Sequence, residues 1–72
     1  MEFQIDLELL KQYDFDQEDF YVLEAQRNAD RWLSPAELAA AAGVSQEKAL
    51  KAGRAITELM MLTNLRNNFS DF

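Results

Sequence analysis

The 72-residue chain has no cysteine, no histidine, one proline and two glycines. Without cysteine no disulfide can staple a small fold. Without cysteine or histidine, zinc sites of the usual kind and nucleophilic triads with an imidazole base are excluded. The longest apolar run, Leu38 to Val44, falls far short of the roughly 20 residues of a helical membrane span. The amino terminus also lacks a basic, apolar signal pattern. These absences predict a soluble, cytoplasmic protein that is not an enzyme and has no cofactor, metal, small-molecule substrate or membrane partner.

What is present suits one small packed domain covering residues 1–72. Apolar residues make up 49% of the sequence, with five Phe, two Tyr and one Trp, and the formal net charge is −6. That composition is too apolar for a disordered chain, although a domain of this size buries only about 60% of its unfolded surface. The charge is unevenly spread. Up to Asp30 the acids are Glu2, Asp6, Glu8, Asp14, Asp16, Glu18, Asp19, Glu24 and Asp30 against Lys11 and Arg27. From Arg31 onward Glu37, Glu47, Glu58 and Asp71 face Arg31, Lys48, Lys51, Arg54 and Arg66. The first half is acidic and the second close to neutral.

The clearest local grammar lies between Ser34 and Leu62. Ser34, Pro35 and Glu37 form a capping box with proline at the first helical position. Gly43 ends that helix, because a left-handed residue costs any other side chain roughly 1–2 kcal/mol. Val44 anchors the turn, and Ser45 caps a second helix that runs to about Met61. On that second helix Ala49, Ala52, Gly53, Ile56, Leu59, Met60 and Thr63 share one face, while Glu47, Lys51, Arg54 and Glu58 lie nearly opposite. Glu47–Lys51 and Arg54–Glu58 have the i,i+4 spacing of solvated ion pairs, each worth about 0.2–0.5 kcal/mol.

Before this stretch, Asp6 to Tyr13 suits a short capped helix, with a strand over Phe3 to Leu9 as the alternative. Asp16 and Asp19 resemble a capping pair, which starts another helix whose apolar face is Val22, Ala25, Ala29, Trp32 and Leu33. Asp14, Asp16 and Glu18 begin like a calcium loop. However, Asp19 stands where such a loop needs glycine and Ala25 where it needs glutamate, so helix capping accounts better for the cluster. After Met61 the sequence LTNLRNNFSDF suggests a turn at Asn67 and Asn68 between short extended pieces. Either Phe69 and Phe72 pack back on the domain, or the chain is a fragment ending before a second strand.

Ala39, Gly43, Val44, Ala49 and Ile56 have the pattern of small residue, turn glycine, apolar anchor and inward positions that resembles the helix-turn-helix family, including its winged-helix branch. The match spans about residues 34–62. It implies an all-α domain of three or four helices with a helix-turn-helix core and room for a rudimentary carboxy-terminal wing. It further implies DNA-binding transcription regulation, with Gln46, Lys48, Lys51, Arg54, Arg31 and Arg66 directed at bases or phosphates. The acidic balance favours an alternative in which the same scaffold binds a protein, through the acidic first half or through Leu50 and Met61 beside the charged face. Neither alternative fixes the oligomeric state.

Overall fold

The computed structural model describes residues 3–69 and contains four α-helices: α1 (Leu7–Leu10), α2 (Gln17–Arg27), α3 (Pro35–Ala42) and α4 (Gln46–Phe69). Among the described residues there is no strand, so the domain is all-α. No helix among them is long and apolar enough to cross a membrane. With 24 residues, α4 is about 36 Å long at 1.5 Å per residue, which accounts for most of the molecule's 41 Å long axis. The other helices pack along it.

Each helix begins where a polar side chain can satisfy its orphan backbone donors. Asp6 accepts from the amides of Glu8 and Leu9 at the start of α1. At α2, Asp16 accepts from the Asp19 amide at 2.9 Å and Asp19 returns a bond from the Asp16 amide at 3.0 Å. Ser34 and Glu37 form the same reciprocal box at α3, with Pro35 in the first turn. The Ser45 hydroxyl accepts from the Lys48 amide at the start of α4. Gly43 ends α3 in the left-handed conformation, with φ 71° and ψ 36°. Its amide and that of Val44 both donate to the Ala39 carbonyl, and only the three residues 43–45 join α3 to α4.

The core is Val22 from α2, Leu38 and Ala39 from α3, and Ala49, Ala52, Ile56 and Met60 from α4. Leu59 is fully buried as well. The inward face expected of the second helix is therefore the observed one, with Gly53 partly covered at its edge. That glycine lets the Leu38 side chain of α3 lie close against α4. A Cβ there would lie 3.3 Å from Leu38 Cδ1, tighter than an ordinary contact. The alanines of α3 bury little area each, so Leu38 is the main apolar contribution of that helix, of the order of 1.5–3 kcal/mol.

Three boundaries differ from the sequence expectations. First, α1 ends at Leu10, and residues 11–13 form a turn in which the Gln12 and Tyr13 amides donate to Leu9 and Leu10. Second, α2 stops at Arg27, so Ala29, Trp32 and Leu33 lie on an irregular connection rather than on its apolar face. Trp32 is 51% exposed. The reason lies in Gln26, whose side chain captures the backbone of the following residues.

Third, α4 continues unbroken through Asn67 and Asn68, and the expected turn and extended pieces are absent. No glycine or proline follows Gly53 to break the helix. Contacts with the amino-terminal segment support its far end. The buried Thr63 hydroxyl donates to the Leu59 carbonyl at 2.8 Å and accepts from the Asp6 amide at 2.9 Å. Arg66 reaches Asp6 at 3.3 Å and Glu8 at 3.1 Å. A wing is thus excluded among the described residues. Packing by the Phe69 and Phe72 side chains lies outside them.

A Cβ on Gly43 meets nothing within 4 Å, so replacement there tests backbone strain alone. Gly43→Ala should lower stability by about 1 kcal/mol and Gly43→Asn by less, since asparagine tolerates the left-handed region. Urea midpoints with unchanged m-values would report this. Equal stability of all three proteins would remove the left-handed turn as a determinant of the fold.

Candidate partner-binding groove

An apolar cavity of about 300 Å³ opens between the connection 28–34, the start of α3 and the middle of α4. Its walls include Trp32, Leu33 and Pro35 on one side and Leu50, Arg54 and Thr57 on the other. Leu38, Gly53 and Ile56 carry its lining into the core. This is the low end of the volume range of ligand-binding clefts.

The wall that contains Trp32 is held by Gln26, which is only 2% exposed. Its side-chain nitrogen donates to the Arg31 carbonyl at 2.8 Å, and its carbonyl oxygen accepts from the Leu33 amide at 3.1 Å. A buried primary amide left without partners would cost several kcal/mol in an apolar medium. Here both ends are used, and Trp32 is fixed between the two residues that they grip. Sequence pattern gave no sign of this role, because a glutamine near the end of an amphipathic helix usually faces water.

The same connection is closed by an ion pair. Both terminal nitrogens of the Arg31 guanidinium donate to the Glu37 carboxylate, which also accepts from the Ser34 amide at 3.0 Å. Donation from Arg31, followed by the bond from Ser34, lowers the Glu37 pKa to about 2.

The residues expected to face DNA do not form one basic surface. Arg31 is engaged by Glu37. Lys48 reaches Asp16 at 2.7 Å and Asp19 at 3.3 Å, so it clamps the start of α4 to the capping box of α2. Its hydrogen bond to Asp16 raises the lysine pKa and lowers that of the aspartate. Arg66 is held at the other end of α4 by Asp6 and Glu8. Lys51 has only a loose contact with Glu47 at 4.0 Å, and Gln46 is exposed at the helix start. Arg54 has no carboxylate partner among the described residues. The expected Arg54–Glu58 pair does not form, and Glu58 instead accepts from the Tyr13 hydroxyl at 2.8 Å.

Leu50 and Met61, the alternative partner-binding residues, are both exposed, Met61 by 62%. Leu65, 50% exposed, extends their strip by another turn, and Trp32 and Leu50 both line the groove. Leu65 and Trp32 lie outside the sequence expectation, which places one in an extended tail and the other on the apolar face of α2. Among the described residues no cluster of acids has the geometry to hold a metal ion. No family model, curated protein or solved structure significantly matches the chain.

Two variants test how the groove wall is built. Gln26→Leu retains bulk but leaves the Arg31 carbonyl and Leu33 amide without these partners, and should cost about 2 kcal/mol. Fluorescence of Trp32, the sole tryptophan, should change with it. An unaltered spectrum would argue that Gln26 does not hold this wall. For Glu37, the folded pKa lies below the ordinary value of 4.5, so its stabilisation is present above that value and is lost as pH falls towards about 2. The difference in Tm between the native protein and Glu37→Gln should therefore shrink from pH 4.5 to pH 2. A constant difference across this window would show that the Arg31–Glu37 pair contributes no linked stability.

Proposed function

We propose that this chain is a protein-interaction domain that uses a helix-turn-helix-like scaffold to bind a protein partner through the groove beside Leu50 and the strip ending at Met61. The three-residue turn after α3 and the inward stripe of α4 support the scaffold. The observation that carries the function is the disposition of charge and apolar surface. Lys48, Arg31 and Arg66 are engaged by the domain's own carboxylates, whereas Trp32, Leu50, Met61 and Leu65 remain exposed. Engaged cations can give phosphate little, and clustered exposed apolar side chains favour a protein surface.

DNA binding in transcription regulation is the second reading. It is favoured by Gln46, Lys51 and Arg54 on exposed positions of the first turns of α4. With Lys51 and Arg54 as the two cations meeting phosphate, its log–log salt slope should be near −2.

The two readings separate in one pair of measurements. Immobilised domain should retain a discrete protein from lysate, and Leu50→Asp and Met61→Asp should each reduce retention at least about tenfold while helicity by circular dichroism stays unchanged. Fluorescence anisotropy with random duplex DNA should show no association even at low salt. Tight duplex binding with that salt slope, lost in a Lys51→Glu, Arg54→Glu double variant, would instead assign the surface to DNA.

A further inference from the structure

Arg54 stands out on α4. Among the described residues it is the one cation of that helix with no carboxylate within ion-pairing distance, in a chain whose acids outnumber its bases by 13 to 7. It is also part of the lining of the apolar groove, with Trp32 and Leu50. On either side of it α4 presents Leu50, Thr57, Met61 and Leu65 at spacings of seven, four and four residues, which places them in one stripe along the helix. The Thr57 hydroxyl donates to the Gly53 carbonyl at 2.9 Å within its own helix, so it demands no polar partner. From Leu50 to Leu65 the stripe is about 22 Å long at 1.5 Å per residue.

A straight apolar stripe of this length, beginning in a groove, fits a second helix laid along it. Its charge pattern defines what that helix must carry. Docking would strip water from Arg54, and a guanidinium desolvated beside apolar walls requires a carboxylate in return. The domain's net charge of −6 makes the rest of a favourable partner basic or neutral. Resting on the protein-interaction reading above, we infer that the groove and stripe take an amphipathic helix of a partner protein. That helix places an apolar side chain between Trp32 and Leu50, one carboxylate against Arg54, and further apolar residues along Met61 and Leu65. Its outer face is net basic. A second copy of this chain fits less well, since it would bring another net charge of −6 to the contact.

The test is selection from a displayed library of helix-forming peptides of about 16 residues, long enough to cover the stripe. The positions of one helical face are randomised, and lysine and glutamine occupy the rest. The baits are the native domain, Arg54→Gln and Leu50→Asp, each checked for helicity by circular dichroism. Arg54 has no ion pair to lose and Leu50 lies at the surface, so both variants should fold. The native bait should enrich helices with an acidic residue flanked by apolar ones. The preference for that acid should fall about tenfold on Arg54→Gln, the effect of one charge-assisted pair. Enrichment should vanish on Leu50→Asp.

Equal acid frequencies on the native and Arg54→Gln baits would overturn the carboxylate assignment, and enrichment that survives Leu50→Asp would overturn the location. Failure to enrich any helix, while Leu50-dependent capture from lysate persists, would overturn the helical occupant and leave the protein-interaction reading standing. Loss of both enrichment and capture would overturn both.

Discussion

The groove depends on one buried amide. Residues 29–34 leave the helical path after α2, and their backbone needs partners that neither α2 nor α3 supplies in regular form. Gln26 provides two of them from inside the fold, one to the Arg31 carbonyl and one to the Leu33 amide. A leucine at the same place could fill the volume but would leave the connection free to take other paths. The amide selects one path, and that path keeps Trp32 at the surface instead of in the core. An interaction worth only about 1 kcal/mol net per hydrogen bond thus keeps Trp32 at the mouth of the groove.

A second constraint governs α4. A 24-residue helix cannot be buried along its whole length by helices of 4, 11 and 8 residues. The domain fastens it near both ends by the same device, a basic residue of α4 paired with a carboxylate that also caps another helix. Lys48 joins the capping box of α2, and Arg66 joins Asp6, the cap of α1. Exposed ion pairs contribute little individually. Their effect here is to set the register of α4 against the start of α1 and α2, and in doing so they withdraw those cations from any external anion.

Much of this fold can be read from the sequence where the determinants are local. Ser34 with Glu37, Asp16 with Asp19, and the turn glycine at position 43 act through neighbouring backbone groups, so type and spacing suffice. The inward face of α4 is legible for a related reason, as a 3.6-residue period shows which side is apolar. The misplaced features depend on side-chain contacts that helical periodicity does not reveal, several of them distant in sequence. Asn67 and Asn68 resemble a turn until Thr63 and Arg66 are seen to bind the segment near Asp6, 57 to 60 residues earlier. Trp32 matches an apolar helical face until Gln26 draws the chain away. Lys48, Arg31 and Arg66 look available to phosphate because the folding of acids onto them has no signature in local pattern.

That last mismatch bears on function. A helix-turn-helix-like sequence pattern records the inward residues, which maintain the scaffold, and the outward residues are free to differ. Among the described residues the outward side of α4 combines one cation without a carboxylate partner, Arg54, with an apolar stripe, while the other basic residues of α4 are paired with acids to differing degrees. Moving Lys48 or Arg66 to phosphate would break contacts that position α4, so DNA binding through those residues would have to oppose folding. Binding through Leu50, Arg54 and Met61 carries no such penalty, because among the described residues none of these three side chains forms an ion pair or belongs to the buried core.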